Sequence, residues 1–284
     1  MPAPGATIAY NGLALDTYPY ALDTLEGLFG SPEIVSSDLP RVSRSGMVAG
    51  TDYYRGRTVT ITVNVYADDA TTFNTAVANL GRAFAAPLAT PLPLSFTIPG
   101  IADGLAAILN LRPRKLSAPY AVGTIGGRSA QVAVELYATD PLIYSAAETV
   151  AAIGLSTSGV GLQFNLTFNL SFGGATSFGG AVLLNSGSAT APAVIRINGP
   201  VTNPTVRNVT TGQSLNLTTT LVAGEFVNLD TSARTVMLNG TADRYSLLTT
   251  PQWWGLVPGL NEIRYFADVT VASIATVTYR SAWV

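Results

Sequence analysis

The chain of 284 residues contains no cysteine and no histidine. These two absences exclude disulfides, thiolate nucleophiles, Ser-His-Asp triads and nearly every zinc, copper or haem site. Lysine is almost missing too: Lys115 stands alone among fifteen basic residues, the others being arginines. Lysine commonly blunts exposed sheet edges. Its scarcity suits a protein whose edges are covered by neighbours, although genomic base composition explains it equally well. Charged residues of both signs make up only 11%, against 48% hydrophobic. That balance argues against disorder and points to surface hidden in an assembly. No run approaches ~18 apolar residues, so no membrane span is expected. The first cation is Arg41, and "MPAPGATIAYNGLALDTYPY" holds no continuous apolar core. A secretory signal is therefore not expected, and the chain is expected to fold in a cytoplasm.

Net charge is −2. A division after Asp140 leaves nine basic and eleven acidic residues before it and six of each after it. Neither half carries the basic excess of a nucleic-acid binder.

What is present reads as β-structure. In "RTVTITVNVYA", Val59, Ile61, Val63 and Val65 alternate with Thr58, Thr60, Thr62 and Asn64. A β-branched run of period two makes a strand with one apolar face. The period then changes. Phe73, Val77, Leu80 and Phe84 fall four, three and four apart, which predicts one amphipathic helix over about 69–85. Asp68 or Asp69 can cap its start and Pro87 lies just past its end. Leu92, Leu94, Phe96 and Ile98 alternate again, as do Val132, Val134 and Leu136. Asp140-Pro141 marks a turn, and the division between domains is expected at 140–150, giving 1–145 and 146–284.

The second half is β throughout. "GLQFNLTFNLSFGG" alternates for eleven residues, and "AVIRI", "SLNLTTTL", "EFVNLD", "RTVMLNG", "NEIRYFA" and "ATVTYRSAW" follow. Turn signals at Asn198-Gly199, Thr211-Gly212, Asn239-Gly240 and Pro258-Gly259 divide them. Short strands at this spacing predict a β-sandwich.

Four groups of residues are candidates for function. Trp253 and Trp254 are adjacent, and successive strand side chains point to opposite faces. On a strand at most one of them enters the core. The other stacks on a sugar or host surface, or lies under a loop or at a subunit contact. Arg41, Arg44, Arg55 and Arg57 cluster around "SGMVAGTDYY", where they suit contacts within a ring better than contacts with DNA. "RPRK" at 112–115 is too short for a nucleic-acid patch and is expected at a hairpin tip. Glu225, Asp230, Asp243 and Glu262 have no spacing that marks a glycosidase pair. "FGGATSFGG" lacks the Lys and Ser/Thr of a phosphate-binding loop.

The order of motifs in the second half carries a resemblance. "NSGSATAPAVIRINGP" is followed by "VTNPTVRNVTTG", "LVAGEFVNLDTSARTVMLNG" and "WWGLVPGLNEIRY". In the first half, Gly56-Arg57 leads into an alternating strand, then one helix, then a strand ending in "YATDP". This sequence resembles the distal tail proteins, also called minor tail proteins, of long-tailed non-contractile bacteriophages. The stretch from about 150 to 185 does not match that pattern. The resemblance implies a mainly β protein: an N-terminal ring-forming β domain with one helix, then a C-terminal galectin-like β-sandwich. It implies a structural protein of the virion, assembled in the host cytoplasm, with no catalytic residue, cofactor or metal to carry over. It also implies a homo-oligomeric ring, typically a hexamer, at the tail tip. Such a ring joins the major tail tube protein to the tail hub and passes the tape-measure protein and then DNA, without membrane insertion. From another class, a host-glycan-binding β-sandwich module is the alternative.

Overall fold

The computed structural model describes residues 6–85, 89–118, 128–156, 179–268 and 273–284. Pro87, the Leu/Phe alternation at 162–172 and nearly all of "FGGATSFGG" lie outside these residues. The chain divides into two compact units, Met1–Ala147 with Trp283–Val284, and Glu148–Ala282. No helix is long and apolar enough to cross a membrane among the described residues.

The first unit contains β1 (Thr7–Tyr10), β2 (Leu13–Ala14), β3 (Tyr20–Glu26), β4 (Ile34–Val35), β5 (Leu39–Pro40), β6 (Met47–Val48), β7 (Tyr53–Tyr54), β8 (Arg57–Tyr66), α1 (Ala70–Ala83), β9 (Leu92–Thr97), β10 (Ala107–Ser117), β11 (Ser129–Ala138) and β12 (Ile143–Ser145). Seven strands follow one antiparallel path, β2-β1-β9-β10-β11-β8-β3. Asn11-Gly12 closes the β1–β2 hairpin with both residues at positive φ, the conformation a two-residue type I′ turn demands. The expected strand at 58–66 is β8. Val59, Ile61, Val63 and Val65 are completely buried, and the intervening Thr60, Thr62 and Asn64 are only half-buried. Each such aliphatic side chain contributes roughly 1.5–3 kcal/mol by leaving water.

β10 turns the sheet back on itself. Ala107–Leu111 pairs with β9, whereas Arg112–Ser117 pairs with β11, with a register shift between Pro113 and Lys115. Proline has no N–H to give a ladder and is tolerated at such an irregularity. "RPRK" is therefore not a hairpin tip, as expected from its composition, but the middle of a bent strand. Arg114 lies over the Tyr137 ring at 5.2 Å. The two ends of the folded sheet meet without pairing: Ile8 of β1 and Leu22 and Leu25 of β3 line one recess, yet β3 pairs only with β8.

Helix α1 closes the core. Asp69 caps it, accepting from the Thr72 amide at 2.8 Å and the Thr72 hydroxyl at 2.6 Å. The hydrogen bond from that hydroxyl holds the Asp69 carboxyl below its ordinary pKa. Leu80 and Phe84 are buried, and Phe84 stacks on Tyr10 at 4.7 Å and 7°. Trp283 joins the same core, its indole N–H donating to Asp103 Oδ2 at 3.3 Å.

The second unit is a galectin-like sandwich. Its strands are β13 (Thr149–Gly154), β14 (Gly180–Asn185), β15 (Ala193–Asn198), β16 (Val201–Thr202), β17 (Thr205–Asn208), β18 (Ser214–Leu217), β19 (Thr220–Leu221), β20 (Phe226–Asp230), β21 (Thr235–Leu238), β22 (Ala242–Asp243), β23 (Leu248–Pro251), β24 (Gly259–Phe266) and β25 (Ile274–Tyr279). One sheet runs β13-β25-β15-β20-β21-β22 and the other β14-β24-β17-β18-β23. Ile195, Ile197, Leu229 and Val277 of the first and Val206, Leu215, Ile263 and Tyr265 of the second have no exposed surface. Cross-sheet hydrogen bonds satisfy the polar ends: the Tyr265 hydroxyl meets Ser273 Oγ at 2.7 Å, and Tyr279 donates to the Leu184 carbonyl at 3.0 Å. "SLNLTTTL" reads as one strand in the sequence but is two. Its first half pairs with β17 and β23 and its second with β16, because the Thr218 amide and hydroxyl bond to Leu247 O and Thr249.

Candidate functional site

The four arginines expected to cluster are separated by the fold. Between β3 and β8 the chain leaves the main sheet of the first unit as a two-stranded arm, β4 against β7 and β5 against β6. Glycine is required at its root. Gly27 has φ +80°, and a Cβ there would strike the Thr58 carbonyl; a Cβ on Gly56 would strike the Tyr137 hydroxyl. Arg55 pairs with Glu33 at 3.3 Å, and its amide donates to the Glu33 carbonyl. Ser37 and Thr51 bond across the ribbon, and Asp38 accepts from the Gly50 amide at 2.7 Å. The Arg41 amide donates to Gly46 and closes the tip, which carries the exposed side chains of Arg41 and Arg44.

Every residue from Glu33 to Arg55 is exposed. The arm nevertheless presents Ile34, Leu39, Val42, Met47, Val48 and Tyr53, with Val42 90% and Leu39 67% exposed. At ~3.3 Å per residue it is roughly 30 Å long. A two-stranded ribbon is marginal alone in water, and contiguous exposed apolar surface marks an interaction site. No strand is legible in "LPRVSRSGMV" from its sequence pattern; its apolar content is the one signal that it differs from an ordinary polar loop.

Arg57 lies apart from the other three. It occupies the same face of β8 as Val59, Ile61, Val63 and Val65, so period two alone directs it inward. It is 3% exposed. Nη1 donates to the Leu28 carbonyl at 2.6 Å, while Nε and Nη2 are enclosed without a hydrogen bond among the described residues. Burial pushes its pKa down. This guanidinium is beyond reach of a surface partner as the chain stands; it ties the start of β8 to the segment at the arm's root.

The tryptophans sit neither of them on a strand but in the loop between β23 and β24. Trp254 is 2% exposed and belongs to the interior. Trp253 is partly exposed and stacks on Tyr245 at 6.2 Å and 27°. Both indole N–H groups are shut off from solvent without a partner among the described residues. Three buried asparagines hold the loop. Asn185 Nδ2 donates to Ala189 O and Leu256 O, both at 2.8 Å; its Oδ1 accepts from the Gly187 and Ala282 amides. Asn208 Nδ2 donates to Gly255 O, and Asn261 clamps Val257 through N–H and carbonyl together. Leu256 also exchanges two backbone hydrogen bonds with Ala191. Gly259, at φ +93°, completes the Pro258-Gly259 turn as a type II turn requires.

The four carboxylates do not converge. Glu225 accepts from the Val222 amide, Asp230 from Ser232 and Ala233, and Asp243 from Tyr245; Glu262 pairs with Arg264 at 2.6 Å. Each serves its own turn or strand. Among the described residues no three acidic side chains gather in a way that could hold a metal.

With these features in place, the chain can be set beside known proteins. Residues 186–283 match the family of siphovirus-type tail components, C-terminal domain. Over its whole length the chain has the fold of the Dit protein (gp 19.1) of phage SPP1, described as a paradigm of the hub adsorption apparatus in phages infecting Gram-positive bacteria. The match covers 98% of this chain and 99% of that one, with a TM-score of 0.66 at 14% identity. The phage p2 baseplate in its activated, strontium-bound conformation contains a chain matched over 96% of this one and 97% of its own length, with a TM-score of 0.50 at 9% identity. No curated protein matches by sequence. The resemblance to distal tail proteins read from the motif order thus holds, in the sequence family of the sandwich and in the fold of the full chain.

Proposed function

We propose that this protein is a structural component of the distal tail of a long-tailed phage. Copies close into a ring, a hexamer on the resemblance, that joins the tail tube to the hub and leaves a channel for the tape measure and DNA. The domain at 1–145 builds the ring and the sandwich projects from it. The protein works by connection and carries no chemistry of its own.

The observation that carries this reading is the arm. It is hydrogen-bonded along its length, apolar, and uncovered by its own chain. A contact between unlike surfaces of identical subunits generates a closed ring when the rotation closes. The face of the first sheet opposite its core supports a channel. Across β3, β8 and β11 it presents Thr58, Thr60, Thr62 and Asn64 beside Glu26 and Glu135, with no cation on that face of the three strands, Arg57 being turned to the core. A neutral-to-acidic wall does not grip a polyanion that must slide. The tryptophan loop supports the sandwich as a scaffold, since its asparagine clamp and Trp254 serve the interior.

Negative-stain microscopy and native mass spectrometry of the purified chain test the reading. Rings with a central hole are expected. A monodisperse monomer at high concentration, alone and with tail-tube protein, would sink it.

A further inference from the structure

We propose that the arm of one copy docks in a groove along β1 of the next copy, with Arg41 and Arg44 reaching the carboxylate of Asp16. This rests on the ring reading and names the contact that would build it.

The groove runs over the paired strands β1, β9 and β10, beside the gap where β1 and β3 meet without pairing. On one side of β1 a recess of about 170 Å³ is lined by Ile8, Leu22, Leu25 and Ile98. On the other an open groove of about 370 Å³ is floored by Thr7, Ala9, Thr97 and Ala107. Thr7, Ile8 and Asp16 line both, so the two are neighbours across β1. Short side chains leave the groove room for a few side chains of a ribbon laid across it, and the recess is lined mainly by apolar side chains. Neither carries a charge except Asp16. That carboxylate is half-buried and has no ion pair among the described residues.

The outer half of the arm is the complement. "LPRVSRSGMV" carries only two charges, Arg41 and Arg44, both positive and both without an ion pair among the described residues. Around them stand Leu39, Val42, Met47 and Val48, each more than half exposed. Two cations in an apolar ribbon face one carboxylate in an apolar groove. Such pairing fixes register and excludes misdocking more than it adds affinity. The arm cannot be the lid of its own groove, because it is exposed along its whole length. A second copy is therefore the occupant. Arm and groove are different surfaces, so each copy offers one of each and the contact propagates head to tail.

The absence of cysteine makes the test direct. In the full chain, Val42→Cys and Thr97→Cys are introduced together and oxidised. Each copy then holds one thiol on the arm and one in the groove. A ladder of cross-linked species beyond dimer is expected, whereas each single variant stops at dimer. In parallel, Arg41→Glu with Arg44→Glu, and separately Asp16→Arg, should each weaken self-association on the order of ten-fold or more, and combining them should restore it. Unchanged thermal unfolding confirms that the variants fold. Chains that assemble but give no ladder beyond dimer, or whose assembly ignores the charge reversals, overturn the arm-groove contact and leave the ring standing. Chains that neither assemble nor cross-link at any attainable concentration overturn both.

Discussion

Replacing Asn185 with alanine tests whether the tryptophan loop is held by buried amides. The side chain makes four hydrogen bonds, to Ala189 O, Leu256 O, Gly187 N and Ala282 N, and is 1% exposed. Leu256 O keeps the Ala191 amide as a partner. Three backbone groups lose theirs: the buried Gly187 and Ala282 amides and the half-buried Ala189 carbonyl. At ~1–3 kcal/mol for each unsatisfied group, with partial relief by entering water, the expected loss is roughly 3–5 kcal/mol. Aspartate at the same place restores the acceptor but not the donors and buries a charge, so it should be no better. Urea denaturation followed by tryptophan emission measures the loss in a Trp283→Phe background, which leaves Trp253 and Trp254, both in the sandwich, as the reporters. The midpoint should fall with little change of slope. A loss below about 1 kcal/mol, the range of an ordinary surface change, would refute the clamp.

Other outcomes follow from the same geometry. Burial raises the pKa of Tyr10 to about 12; relative to an unfolded value near ~10, the protein keeps that stabilisation below pH ~10 and loses roughly 3 kcal/mol as pH climbs through the folded value. Absorbance at alkaline pH should show Tyr10 ionising late or only on unfolding. Trp254→Ala should cost about 3–5 kcal/mol as a large buried side chain, and Trp253→Ala about 1 kcal/mol; glycan binding lost in folded Trp253→Ala would instead favour a sugar-binding sandwich. Thr60→Lys with Thr62→Lys puts cations on the sheet face assigned to the channel. Salt-sensitive DNA binding by the purified chain should tighten on the order of ten-fold at low salt, and no change would count against that face meeting DNA.

Much of the fold was legible because period-two and period-four patterns report which side chains face the core. β8, α1, β11, β15, β20 and β24 fall where alternation or helical spacing put them, and Asp69 caps the helix. The misses share a cause: they depend on what lies opposite in space. Nothing local says that "RPRK" sits where a sheet bends, or that "SLNLTTTL" changes partners at Thr218. Arg57 was grouped with its neighbours by charge, although extending the Val59–Val65 alternation back by two residues would have placed it inside. The clamp asparagines stand within the motif strings "NSGSATAPAVIRINGP", "VTNPTVRNVTTG" and "WWGLVPGLNEIRY". Their buried role depends on pairings between residues as far apart as Asn185 and Leu256, which no window of sequence contains. The arm's ribbon is not legible in the sequence, because its strands are two residues long and the propensity signal is correspondingly weak.

Trp283 belongs to the core of a unit that, apart from Trp283 and Val284, ends at Ala147. During synthesis, the sandwich emerges from the ribosome before the first unit receives its final aromatic ring. A fragment ending at Ala147 would therefore be born with a hole beside Asp103, and a genetic fusion behind Val284 would weigh on the half of the protein encoded first.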